Sequence, residues 1–211
     1  MRLLRHLPLV RTKKHSRRRL GQSLVETALL FPVLLIIFSG LVEVGFWLAS
    51  YLVVVDAARN AARFSSDGFY QIRDADTNCT TTRDFFRQAS CAVLIELAQE
   101  RPRVLLDATQ DDIVVSVVSV VQGTGVTARF PDADGWSYYG NASSRLSQSD
   151  INALIDLSAP NTGMVVIEVF YHYHQHLKLP WIQAFLPDPI LIYGYAVMPL
   201  VSAEPTKTPS P

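Results

Sequence analysis

The stretch Arg17-Arg18-Arg19-Leu20-Gly21-Gln22-Ser23-Leu24-Val25-Glu26 runs directly into an apolar segment, residues 27–55, and its reading decides the fold. No residue from Thr27 to Val42 is charged, and after Glu43 the run resumes as Val44-Gly45-Phe46-Trp47-Leu48-Ala49-Ser50-Tyr51-Leu52-Val53-Val54-Val55. A bilayer core of about 30 Å needs about 20 apolar residues at a helical rise of about 1.5 Å each. The segment therefore predicts one helix that spans a membrane and continues beyond it. The first twenty residues carry Arg2, Arg5, Arg11, Lys13, Lys14, Arg17, Arg18 and Arg19 and no acid, which under the positive-inside rule holds that end in the cytoplasm and puts the C-terminal part outside it. A secretory signal has an apolar core of only about 7–15 residues ending at a small-x-small site, and the run here is about twice as long.

Gly21 with Glu26 five residues on resembles the type IV prepilin processing site. The resemblance implies that a prepilin peptidase cuts between Gly21 and Gln22 and leaves Glu26 as the fifth residue of the mature chain. Glycine suits such a site because it leaves the scissile bond unhindered, and the basic flank holds the leader on the peptidase's side of the membrane. A carboxylate near the start of a membrane helix is costly. In pilin-like assemblies it is taken to neutralise a new amino terminus; the plainer reading is an interfacial Glu favoured by the helix macrodipole.

Three further pieces occur in order: Leu24-Val25-Glu26-Thr27-Ala28-Leu29-Leu30-Phe31-Pro32, Gly40-Leu41-Val42-Glu43-Val44-Gly45, and Asp56-Ala57-Ala58-Arg59-Asn60-Ala61-Ala62-Arg63. They resemble the TadE-like family, minor pilin-like proteins (pseudopilins) of the tight-adherence (Flp) pilus system, with Thr27 where that family usually has an aromatic residue. The resemblance implies a non-catalytic role in pilus assembly. It implies as partners the prepilin peptidase, related pilin-like subunits, the inner-membrane assembly platform and the lipid bilayer. It also implies a single-pass bacterial inner-membrane protein, or one carried into a surface pilus.

Within the helix, Pro32 is expected to loosen the hydrogen-bond ladder. Glu43, flanked by Gly40 and Gly45, reads as a helix-packing site where another backbone approaches and the carboxylate finds a partner, unless it already lies at the outer interface. Small residues at four-residue steps, Gly45, Ala49, Ala57, Ala61 and Ser65, suggest close packing against the protein's own domain or against similar helices. Ser65-Ser66-Asp67-Gly68 is a stop signal.

Beyond the helix the expected order is a second helix over 83–101 capped by Thr82, with Phe86, Ala89, Val93, Leu94 and Leu97 on one face; a strand over 113–121; a polar, aromatic-dotted region over 129–163, holding Trp136, Tyr138, Tyr139 and a short helix over 150–157 capped by Ser149; a strand over 164–175; and a terminal strand over 190–197. Cys79 and Cys91 are an even pair in an oxidising exterior and read as a disulfide, two free thiols being the other reading. The expected architecture is α+β and pilin-like: a long N-terminal transmembrane helix whose outer half packs on a small antiparallel sheet, with one extra helix. The domains are 1–21, a basic cytoplasmic leader; 22–66, the transmembrane and protruding helix; 67–202, an extracytoplasmic α+β domain; and 203–211, a disordered Pro/Thr/Ser tail.

The chain has 211 residues, 49% hydrophobic, with 19 basic and 19 acidic side chains. Removal of the leader takes away 8 basic residues and leaves a formal charge of −8, which argues against a nucleic-acid partner. Only His172, His174 and His176 with Glu168 form a cluster capable of chemistry. Alternate strand residues point the same way at about 6.5–7 Å, so a shared metal needs a bent strand, and a solvent-facing His-rich surface is the simpler reading. No phosphate loop, nucleophile elbow or paired Cys-x-x-Cys occurs, so neither metal nor cofactor is expected. The alternatives to a pseudopilin are an uncleaved single-pass anchored binding module and, third, a metal-dependent enzyme built on the His strand.

Overall fold

The run Asp112–Val121 contains six valines and an isoleucine, whose branched side chains fit an extended, pleated backbone. In the computed structural model it forms the central strand β1. The structure describes residues 17–67, 77–100, 102–158 and 160–201. The segment before Arg17 and the tail from Ala203 to Pro211 lie outside the described residues.

Strand β1 pairs antiparallel with β4 (Thr162–Tyr173) on one side, and on the other with β2 (Gly125–Phe130) and β3 (Trp136–Ser137). The last strand, β5 (Ile190–Pro199), pairs antiparallel with β4, giving the order β2-β1-β4-β5. Val115 faces Ile167 across the β1/β4 ladder, and Ile167 faces Ala196 across β4/β5. The helices are α1 (Arg17–Ser66), α2 (Phe85–Gln99), α3 (Gln148–Leu154) and α4 (Pro180–Gln183). The α+β architecture expected from the pattern is present, with α3 and α4 in addition to α2.

The chain divides into two compact units, Met1–Val42 and Glu43–Pro211. In the first, the described residues are all helical, α1 continues through Pro32, and the side chains from Ser23 onward are almost all exposed. In the second, the α1 residues from Glu43 onward and helix α2 cover one face of the sheet. Val54, Ala57, Ala58, Ala61 and Ala62 of α1 are fully buried with Ile113, Val115, Val117, Val165, Ile167 and Val169 of the strands. Small residues allow this helix to lie close. At Gly194 of β5 an added Cβ would stand 2.9 Å from Val54 Cγ1 and 3.4 Å from the Val54 carbonyl carbon. The opposite face is covered by Leu146 and by Ile151 of α3, which bury Val118, Val120, Val126 and Val166. Burial on both faces explains why β1 reads as a continuous valine run rather than an alternation.

Element boundaries differ from the sequence reading for local reasons. Helix α2 starts at Phe85 and is capped by Asp84, whose carboxylate accepts from Arg87 N at 2.9 Å; Thr82 instead accepts from Asp84 N. Helix α3 starts two residues earlier than expected because Ser147, not Ser149, forms a reciprocal capping box with Asp150. Strand β4 leaves the ladder after Tyr173, where Gln175 N turns to the Asp188 carboxylate and His176 N to Glu43. The region 129–163 is more ordered than a self-packed loop: its start belongs to β2, and β3 sits against β1.

Candidate functional site

Helix α1 carries every residue singled out for processing and helix packing. At about 1.5 Å per residue, the apolar part Ser23–Ser66, 44 residues long, extends about 66 Å, roughly twice a bilayer core. It is long and apolar enough to cross a membrane. Gly21 and Gln22 lie in the helical backbone. Glu26 is exposed, as are Leu29, Leu30, Phe31, Val33, Leu34 and Leu35. An added Cβ at Gly40 or Gly45 would meet nothing within 4 Å, so both glycines lie on open helix surface.

Glu43 differs from both glycines. It is 2% exposed, and its carboxylate is taken up inside the chain. The Tyr173 hydroxyl donates to Oε1 at 2.7 Å, His176 N donates to the same oxygen at 2.9 Å, and Leu177 N donates to Oε2 at 2.9 Å. This corrects the expectation that Glu43 finds its partner in another helix: the donors come from the end of β4 and the residues after it, about 130 positions along the chain. Tyr173 is itself fully buried. Burial, and then the bond to Glu43, push its phenol well above the usual tyrosine range. The Tyr173 oxygen also lies 3.1 Å from His176 Nδ1. Because the single hydroxyl hydrogen goes to Glu43, this contact requires a proton on Nδ1. The His176 ring stacks on Phe46 at 4.8 Å. The result is a clamp: one buried carboxylate on α1 fixes the end of the central sheet to the helix at the start of the second unit.

The buried face of α1 follows from this. Glu43, Ser50, Val53, Val54, Ala57, Ala58, Ala61, Ala62 and Ser65 are buried, with Trp47 half-buried. Of the small residues read as one stripe, Ala57, Ala61 and Ser65 are buried, the two alanines in the cluster that holds the strands, whereas Gly45 is exposed.

The histidines do not converge. His172 Nδ1 pairs with Asp111 at 3.0 Å, His174 Nδ1 with Asp188 at 3.2 Å, and His176 belongs to the Glu43 clamp. No group of three potential metal ligands occurs among the described residues. Glu168 is not on a solvent-facing surface, since both it and Phe170 are buried. Glu168 accepts from the Tyr193 hydroxyl at 2.6 Å, from Arg145 N at 2.8 Å and from the Ser144 hydroxyl, with the Arg129 guanidinium 3.7 Å away. Burial and this bond raise the Tyr193 phenol as well. Arg129 is lowered by burial, against the opposing pull of Glu168.

Sequence reasoning missed Asp112. This carboxylate is fully buried and accepts from the Ser137 hydroxyl at 2.5 Å, Tyr139 N at 2.9 Å, and Asn141 N and Ala142 N at 2.7 Å each. Asp112 and Glu168 thus tie the connection between β3 and α3 to the sheet. Next to it, Arg87 of α2 lies 5.6 Å from the ring centres of both Trp136 and Tyr138, so these aromatics cover the domain itself. Cys79 and Cys91 are joined by a disulfide with Cα atoms 5.5 Å apart, which ties the approach to α2 onto that helix.

Comparison with curated proteins and comparison with solved structures give no match. A family model does match, and it falls on the helix just described, from the glycine of the processing-site pattern to the last arginine of the Asp56–Arg63 piece. Residues 21–63 match the family model described as TadE-like protein.

Proposed function

We propose that the protein is a membrane-anchored pseudopilin-like component of a tight-adherence pilus. In this reading it is inserted with its basic leader in the cytoplasm, trimmed between Gly21 and Gln22 by a prepilin peptidase, and held by α1 with the 67–202 domain outside. The observation that carries it is the division of labour along α1. From Glu43 onward one face of the helix is buried against the sheet, through the Glu43 clamp and the alanine face, while residues 24–42 keep large apolar side chains exposed. Those side chains need lipid or other helices around them. The match of residues 21–63 to the TadE-like model supports assigning that apolar half to pilus assembly. Gly40 and Gly45, on open helix surface, are the positions at which a neighbouring helix backbone comes closest. The role proposed is structural, in keeping with the match of residues 21–63 to the TadE-like model.

The test is mass spectrometry of the mature N-terminus in cells with and without a prepilin peptidase. A chain that begins at Gln22 only when the peptidase is present supports the reading. An intact leader in both strains removes processing and favours an uncleaved anchored module.

A further inference from the structure

The sheet has two outer strands, and the chain treats them differently. An outer strand presents a row of N–H and C=O groups that can template another strand, and folded proteins ordinarily blunt it. β2 is blunted: it is six residues long, carries Arg129, and pairs with β1 across a register shift between Ser119 and Val120. Its Val126 amide donates to Asn152 Oδ1 at 2.8 Å, and the Val126 carbonyl accepts from the Gln148 side chain. β5 has none of these devices. Its ten residues, Ile190-Leu191-Ile192-Tyr193-Gly194-Tyr195-Ala196-Val197-Met198-Pro199, hold no charge and follow β4 in unbroken register.

One bond just past the strand fixes the direction of its backbone groups. Leu200 N donates to the Gly163 carbonyl at 2.7 Å, so the even-numbered residues of this antiparallel ladder turn their N–H and C=O towards β4 and the odd-numbered ones turn outward. Leu191, Tyr193, Tyr195 and Val197 form the outward row, which ends at Pro199, a residue with no N–H to offer. Among the described residues no hydrogen bond reaches the backbone amides or carbonyls of Leu191, Tyr193, Tyr195 or Val197.

Helix α1 lies over this strand. An added Cβ at Gly194 would stand 3.4 Å from the backbone of Val54 and Val55, and Val201 N donates to the Ser66 carbonyl at 2.9 Å, so the helix follows β5 from Gly194 to its end. At about 100° per residue, Asn60 comes about 120° round from Val54, on the side where it donates to Glu96 of α2 at 3.0 Å. Tyr51, Val55 and Leu48 come about 60°, 100° and 120° round the opposite way. Helix α2 stands at the β3 side of the sheet, with Phe86 6.1 Å from Trp136. The flank bearing Tyr51, Val55 and Leu48 therefore overhangs the outer side of β5. Tyr51 and Leu48 are exposed and Val55 is half-buried; on the other face of β5, Leu191 and Tyr195 are exposed.

We propose that the outer edge of β5 binds an extended, uncharged segment of another protein, which adds to the sheet as its next strand beneath the α1 flank. Unpaired N–H and C=O groups at strand spacing recognise an extended backbone. The apolar overhang selects apolar side chains, since a charge placed under it would be buried without a partner. A second copy of this chain does not fit. Pairing β5 with β5 would set two α1 helices above strands about 4.8 Å apart, whereas packed helices need about 8–10 Å. The occupant is thus a strand that carries no helix on that face.

The test uses the full chain in detergent micelles and, as ligand, a synthetic peptide of the β5 sequence with lysines added at both ends for solubility. Freed of α1, this peptide aligns antiparallel about Gly194, setting Tyr193 against Tyr195 and Leu191 against Val197. Residue-resolved amide exchange is the readout. In the chain alone the amides of Leu191, Tyr193, Tyr195 and Val197 are expected to exchange freely while those of Ile192, Gly194 and Ala196 are protected. Excess peptide is expected to slow the odd-numbered set at least tenfold. N-methylation of one alternate set of peptide amides should abolish that effect and methylation of the other set should leave it. Tyr195→Pro, which removes an outward N–H and no bond to β4, should also abolish it; if that variant loses protection at the even-numbered amides, the methylated peptides decide. Odd-numbered amides already protected in the chain alone, unchanged by excess peptide, or protected equally by both methylated peptides overturn the proposal.

Discussion

Removal of the acceptor at Glu43 tests the clamp most sharply. Glu43→Leu preserves volume and deletes the acceptor for three buried donors: the Tyr173 hydroxyl and the amides of His176 and Leu177. A buried donor left without a partner costs about 1–3 kcal/mol. With some relaxation of residues 176–177, the expected loss is about 3–5 kcal/mol, comparable to stranding one side of a buried charged pair. Tyr173→Phe removes one bond to a charged group, about 1.5–3 kcal/mol. For a domain of this size each kcal/mol lowers Tm by about 2–4 °C, so the expected drops are about 6–20 °C and about 3–12 °C. The assay is thermal unfolding of the full chain in nanodiscs, followed by near-UV circular dichroism. Because the two residues share one bond, the double variant should fall short of the sum of the singles by more than about 0.5 kcal/mol. Single variants that each melt within about 1 °C of the parent, or strictly additive effects, would refute the clamp.

Four further outcomes follow from the packing and the buried acids. Gly194→Ala places a methyl 2.9 Å from Val54 Cγ1 and should cost about 1–3 kcal/mol through overpacking; a melting temperature equal to that of the parent would contradict the close helix–sheet approach. Cys79→Ala with Cys91→Ala opens a short loop and should cost about 2–4 kcal/mol, checked by the same melt and by the absence of any further loss when reductant is added. Asp112→Ala releases five donors, and amide exchange at Tyr139, Asn141 and Ala142 should accelerate at least tenfold while β4 stays protected. Tyr173 and Tyr193 have raised phenols, so the folded state keeps protons that an unfolded chain gives up above about pH 10. Stability is therefore level below that pH and falls as pH rises past it, with a slope that Tyr173→Phe with Tyr193→Phe should flatten; equal slopes in parent and variant would remove these two groups as the cause.

How far the sequence could be read depended on whether a residue's partner was near or far along the chain. Helix α1 is visible because its apolar character is contiguous, and β1, β4 and β5 because branched residues repeat within each. Strand β2 was not legible: Gly125-Val126-Thr127-Ala128-Arg129-Phe130 has no run of its own and is recruited by the edge of β1. The stripe containing Gly45 failed for a geometric reason. Steps of four advance about 400°, so Gly45 and Ala57, three steps apart, differ by about 120° around the helix, which puts one in the open and the other in the core. Glu43, Asp112 and Glu168 were misread or missed because a buried carboxylate is stable only where donors converge. The donors to Glu43 stand at residues 173, 176 and 177, and those to Asp112 are largely backbone amides with no side-chain signature. His172, His174 and His176 look like a set at spacing two, but β4 ends at Tyr173 and each ring takes a different neighbour.

The account stands on residues 23–42 crossing a membrane with the sheet domain on the far side from the basic leader. Protease treatment of intact spheroplasts, followed by carbonate extraction and mass spectrometry of what stays in the membrane, addresses this directly. The account predicts a membrane-retained fragment that contains residues 23–42 and has lost the strands. A full-length chain that withstands protease until the membrane is lysed, or one that leaves the membrane on carbonate treatment, would contradict it.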